Sequence, residues 1–154
     1  MPNKVLHYFS LKDRLQRLFM SSKIARWMTW HNDGRSLCKN GEMRHPADAP
    51  AWLYFDSRYL DFTVEKRNVK LGLASDGFNS FTNMSRRYSI CHVMTVVYNL
   101  PLWMCMKQTY TMMSLLISGP TELENDIDVY MLPLIEELKD LWVNDVQTYD
   151  IFKK

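Results

Sequence analysis

Three runs rich in apolar, β-branched and aromatic residues follow one another between Val69 and Ser118, and an amphipathic helix comes next. The first run is Val69 to Ser75, within "VKLGLASDGFNSF". The second is Tyr88 to Tyr98, closed by Asn99-Leu100-Pro101, and the third is Thr109 to Ser118, closed by Gly119-Pro120. Short breaks between such runs predict strands joined as an antiparallel meander. The helix lies in "NDIDVYMLPLIEELKDLW". It places Ile127, Tyr130, Met131, Leu134, Ile135, Leu138, Leu141 and Trp142 on one face and needs a sheet to cover. Asn125 or Asp126 is the expected cap, Asp128 suits the positive end of the dipole, and Pro133 either kinks the helix or begins its regular part. Glu136, Glu137, Lys139 and Asp140 are expected to face solvent.

Upstream, Leu11 to Trp30 has helical spacing, with Ser10 as N-cap and Asp13 three residues on. Lys12, Arg14, Arg17, Lys23 and Arg26 fall on its polar side. They form either an ordinary solvated face or a basic face for DNA phosphates. The segment from His31 to Trp52 is punctuated by Gly34, Gly41, Pro46 and Pro50 and reads as loop. His31, His45 and Cys38 lack the close spacing of a zinc site, so loop hydrogen bonding is expected of the histidines. A short helix over Ala51 to Tyr59, capped from Asp48, completes an N-terminal helical and loop segment, residues 1–65. Residues 66–154 form the second segment, and the fold class is α+β.

Composition narrows the function classes. Of 154 residues 47% are hydrophobic and 23% charged, which fits a packed core and excludes a disordered tail. A formal charge of +2 is too small to imply nucleic-acid binding by itself. Three scattered cysteines give no disulfide framework, and Cys91 and Cys105, set in apolar runs, are expected to be buried thiols. No run is long and apolar enough to suggest a membrane span or a signal peptide, so a soluble intracellular protein without a membrane partner is expected. Asp76 is the one ambiguous acid. Followed by Gly77, it is either a turn residue closing the first strand or a carboxylate delivered by it. The local pattern does not decide.

Five stretches, in order, resemble the transposases of plant CACTA (En/Spm) DNA transposons: "KVLHYFSLKDRLQRLFMSSKIARWMTWH", "GEMRHPADAPAW", "RNVKLGLASDGFNSF", "YNLPLWMCMKQTY" and "NDIDVYMLPLIEELKDLW". They cover nearly all of the chain. "RRYSICHVM" departs from the more apolar, proline-containing run of that family. The resemblance implies a partial RNase H-like fold: three antiparallel strands, then the amphipathic helix, preceded by an N-terminal helical segment. It also implies a DDE or DDD triad binding Mg²⁺, with Asp76 in "ASDGF" as the first acid. Transposon-end DNA as partner and a nuclear location follow from the same likeness.

In that family the fourth strand, with the second acid in an Asp-Phe-Pro-Ala-like stretch, and the final acid come after the segment matched here. The chain is therefore expected to be an internal fragment, inactive alone and without tightly bound Mg²⁺, because one carboxylate cannot hold two metal ions. Asp126, Asp128 and Asp150 are expected to serve as cap, helix-end and loop residues. The Val69–Ser75 strand would expose an unpaired edge, favouring self-association or marginal stability. Two other readings stand beside this one. In the first, the chain is a non-catalytic regulatory fragment that contacts DNA or a full-length transposase; in the second, it is a non-functional transposon relic.

Overall fold

The computed structural model describes residues 4–33, 42–79, 88–120 and 127–153. Cys38 and the expected cap at Asn125 or Asp126 lie outside these residues. The fold is α+β, as expected, and its chain divides into two compact units. One comprises Met1–Gln16, Leu73–Thr95 and Met112–Thr148; the other comprises Arg17–Gly72, Val96–Thr111 and Tyr149–Lys154.

The first unit is built on a four-stranded antiparallel sheet. Its strands are β1 (Val5–Tyr8), β2 (Leu71–Asn79), β3 (Ser89–Val97) and β4 (Thr111–Gly119), in the order β1-β4-β3-β2. The three expected strands are present and adjacent in sequence order. Strand β1 is additional to the three expected strands. It pairs antiparallel with β4, Val5 opposite Ser118 and Tyr8 opposite Leu115, and Phe9 N–H extends the ladder to Ser114 O at 2.9 Å.

The central strands carry the core. On β3, Cys91, Val93, Thr95 and Val97 are buried in strict alternation. On β4, both Ser114 and Leu115 are buried, so this strand is covered on both faces there. The Thr95 and Ser114 hydroxyls satisfy each other inside this core, which removes the cost of burying either alone.

Helix α7 (Ile127–Val143) packs against β1 through the face expected of it. Leu134 is fully buried, a contribution of roughly 1.5–3 kcal/mol. Ile127, Tyr130, Met131, Leu138 and Leu141 are half-buried, while Ile135 and Trp142, at the margin of that face, are exposed. The helix runs through Pro133 instead of starting at it.

The helix expected over Leu11 to Trp30 is broken into α1 (Lys12–Met20), α2 (Ser22–Ala25), a turn, and α3 (Trp30–Asp33). Ser21 is the break. Its backbone is extended, and its carbonyl receives the N–H groups of Ile24 and Ala25 at 2.9 and 2.8 Å. Two adjacent serines offer little helical preference to resist this.

The second unit is organised around aromatic rings and one buried amide. Trp27 and Trp30 meet Trp103 edge-on, with centroids 5.9 and 5.5 Å apart. Asn99, fully buried, donates to Met28 O and Asn68 O and accepts from Lys70 N–H, so its side chain ties three segments together. Helices α4 (Pro50–Arg58) and α5 (Leu60–Val64) follow a 3₁₀ turn at Pro46–Asp48. Asp48 caps that turn by accepting from Arg44 N–H and His45 N–H; Ala49, not Asp48, stands before α4. Gly72 lies against the Tyr98 ring, which would collide with any added Cβ. A short helix α6 (Leu102–Cys105) follows Pro101.

Candidate functional site

Asp76 does not close its strand. Strand β2 continues through Gly77 to Asn79, so the reading of Asp76 as a turn residue is overturned, as is a backbone break at Gly77. A Cβ on Gly77 would meet nothing nearer than Ile90 O at 4.0 Å, so neither space nor backbone geometry demands glycine there. Asp76 is exposed on the outermost strand of the sheet. Leu73 and Phe78, on the same strand, are 47% and 51% exposed, unusual for apolar residues of a sheet.

Cys91 on β3 is buried, and its thiol is pushed above the ordinary range first by burial and then by the negative charge of Asp76. A thiol so placed stays protonated and inert, which agrees with the expectation for Cys91; Cys105 is likewise buried, and burial likewise raises it. His92, half-buried on β3, sets its ring edge-on to Phe78 at 6.1 Å, a packed histidine. Among the described residues no three His, Cys, Asp or Glu side chains come close enough to hold a metal ion. Asp76 by itself offers one carboxylate, whereas a two-metal site needs several converging carboxylates. The described residues therefore do not fit a complete Mg²⁺ site.

The five basic residues proposed for DNA are not carried by one helix. Lys12, Arg14 and Arg17 belong to α1, Lys23 to α2, and Arg26 to the turn after it. Lys12, Arg17, Lys23 and Arg26 are exposed. Arg26 lies over the Trp27 ring, 4.9 Å from its centroid. Arg14 is half-buried and engaged within the first unit: it donates to Ser10 O at 2.8 Å, to Met113 O at 2.7 Å and to Phe9 O. A guanidinium so committed has little left for a phosphate.

Glu137 is the residue the sequence reading missed. Expected in solvent, its carboxylate instead accepts from Tyr8 Oη, Ser10 Oγ, Leu11 N–H and Lys12 N–H. It thus caps α1 from α7, the role expected of Ser10, whose hydroxyl donates to Glu137 instead. Burial acts to raise the Glu137 carboxyl, but these hydrogen bonds outweigh it and hold the group below its ordinary range. Tyr8 is raised, by burial first and then by its bond to Glu137 and the charge beside it. No sequence signal marks a long-range cap of this kind.

The second unit contains a polar cavity of about 150 Å³, lined by His31, Trp52, Asp56, Lys66 and Lys70 among others. Its charges are already paired. Lys70 binds Asp56 and lies 3.9 Å from the centre of the Trp52 ring, and Lys66 reaches Asp33 at 2.8 Å. His31 Nδ1 is buried with no hydrogen-bond partner among the described residues, and burial, with Lys70 nearby, lowers the imidazole to about 4. His45 has no such deficit: Nδ1 accepts from Ala47 N–H at 3.1 Å and Nε2 lies 3.0 Å from Leu100 O, which fixes Nε2 as the protonated nitrogen. The hydrogen bonding expected of both histidines is thus found for the His45 ring, whereas His31 lies in α3 and its Nδ1 has no partner among the described residues.

Asp76 is thus an exposed carboxylate on an outer strand of an α+β fold. Residues 40–154 match the family model described as Transposase family tnp2, three quarters of the chain, and the chain belongs to that family. No curated protein and no solved structure matched it. Among the described residues no helix is long and apolar enough to cross a membrane.

Proposed function

We propose that this chain is a segment of the catalytic region of a plant CACTA (En/Spm)-type transposase, with Asp76 as the first acid of its DDE/D triad. DNA cleavage and strand transfer at transposon ends are the reactions it serves, in the nucleus. One observation carries the reading: Asp76 stands exposed within β2, an outer strand whose second edge has no partner among the described residues. The succession β2, β3, β4, α7 supports it as well, being the order in which an RNase H-like core begins. In such a core the first strand accepts a further, parallel neighbour on its free side, and the remaining acids come from elements beyond this sheet. The contribution of this chain to such a site is Asp76.

A second reading rests on a different observation. Lys12, Arg17, Lys23 and Arg26 remain exposed, which suits a non-catalytic fragment that binds DNA phosphates or regulates a full-length transposase. Its DNA affinity would fall steeply with salt. The two readings separate in an excision assay with a full-length family transposase carrying this segment. Asp76→Asn abolishes excision under the first reading and leaves it unchanged under the second. Loss of excision on neutralising the four basic residues, with Asp76→Asn active, would favour the second.

A further inference from the structure

We propose that the outer face of α7 is a self-association seam along which two copies of this chain pair antiparallel about a two-fold axis. Asp128, Leu132, Ile135 and Lys139 follow at alternating spacings of four and three, so they form one narrow stripe along the helix. The stripe adjoins the face that carries Leu134 into the core and shares Ile135, at the margin of that face, with it. Leu132 is 51% exposed and Ile135 36%, and Val129 beside them widens the apolar strip. Asp128 and Lys139 are also exposed, and neither forms an ion pair among the described residues.

The charges select the partner and its direction. A parallel pairing of two such helices would set Asp128 against the partner's Asp128 and Lys139 against the partner's Lys139. The antiparallel register that places Leu132 against the partner's Ile135 also places Lys139 against the partner's Asp128, and the two-fold repeats both contacts. An apolar centre flanked by two opposite-charge layers is thus complementary to itself, as an isologous contact requires. A single helix pair covers less surface than a stable dimer interface, so the association is weak, on the order of micromolar. It is also separate from the β2 edge, whose open pairing would give extended aggregates instead of a closed dimer.

Sedimentation velocity of the full 154-residue chain over a concentration series tests the seam. The expected result is a reversible monomer–dimer equilibrium. Lys139→Asp turns both charge layers repulsive and weakens it by about tenfold or more. Adding Asp128→Lys to the same chain restores the opposite pairing, and the dimer returns to within about threefold of the starting affinity. Ile135→Glu, at an exposed position, gives a monomer with an unchanged far-ultraviolet circular dichroism spectrum. The proposal is overturned by a strictly monomeric chain at several hundred micromolar or by open-ended association. A dimer indifferent to Lys139→Asp or Ile135→Glu, or a folded double variant that stays monomeric, overturns it equally.

Discussion

The main-chain N–H of Leu11 donates to both oxygens of the Glu137 carboxylate, at 3.0 and 2.9 Å, across 126 residues of sequence. One side chain of α7 thereby closes the start of α1 and fastens it beside β1. Removing it exposes two helix N–H groups and the Tyr8 and Ser10 hydroxyls at once. Glu137→Ala is expected to cost about 1–3 kcal/mol, and Glu137→Gln less, because the amide keeps one acceptor oxygen. Thermal unfolding monitored by circular dichroism checks the order of the three chains. The carboxyl is held below its ordinary range in the folded state. Its contribution is therefore present above that range and is lost as the pH falls through the lowered value. The difference between the native chain and Glu137→Ala should accordingly shrink on acidification.

Asp150 makes the corresponding staple in the second unit. Its Oδ2 lies 2.6 Å from Arg67 Nη1, with the two side chains only 8% and 16% exposed, and its Oδ1 accepts from Phe152 N–H at 2.9 Å. Arg67 also donates to Ala25 O at 3.2 Å. Asp150→Ala leaves a largely buried guanidinium without its counter-charge, and a loss of about 3 kcal/mol is expected. Asp150→Ala combined with Arg67→Met should recover part of it, since the stranded charge is gone. Urea unfolding of the single and double variants measures both effects; a double variant no better than Asp150→Ala would contradict the assignment.

His31 gives a pH signature. Burial keeps its imidazole neutral, with a folded value of about 4 against 6.5 for the free side chain. The unfolded chain therefore takes up a proton first as the pH falls. Stability from His31 is complete above about 6.5 and declines as the pH drops toward 4, by on the order of 1–2 kcal/mol after solvent screening. Proton NMR of the imidazole should show a midpoint near 4 in the folded chain. A midpoint near the free value would place His31 in solvent.

Local pattern and distant contact divide what could be read from the sequence. The β-rich runs at β2, β3 and β4 and the apolar face of α7 repeat at fixed periods, so they were legible from residue types alone. Strand β1 is four residues long and exists because β4 offers it an edge, a fact no window around Val5 contains. The long N-terminal helix failed at Ser21, where local serine chemistry outweighed an apolar stripe that otherwise continued. Glu137 lies on the polar side of α7, where residue types alone point it to solvent, because its partners lie at the other end of the chain. For Asp76 the error was one of boundary. Gly77 is a common strand breaker, yet β2 runs on to Asn79, which makes Asp76 an in-strand carboxylate.

The role of Asp76 as the first catalytic acid is tested most directly with labelled transposon-end duplex and a full-length family transposase carrying this segment, with binding and cutting measured in parallel. With Asp76→Asn, binding of the duplex is expected to stay within about twofold while cutting falls by at least about a hundredfold, since a removed carboxylate costs charge-dependent chemistry far more than docking. Asp61→Asn in the same protein, at an exposed position, should cut at the unmodified rate. If Asp76→Asn cuts as well as the unmodified protein, or loses binding and cutting together, Asp76 is not a catalytic acid.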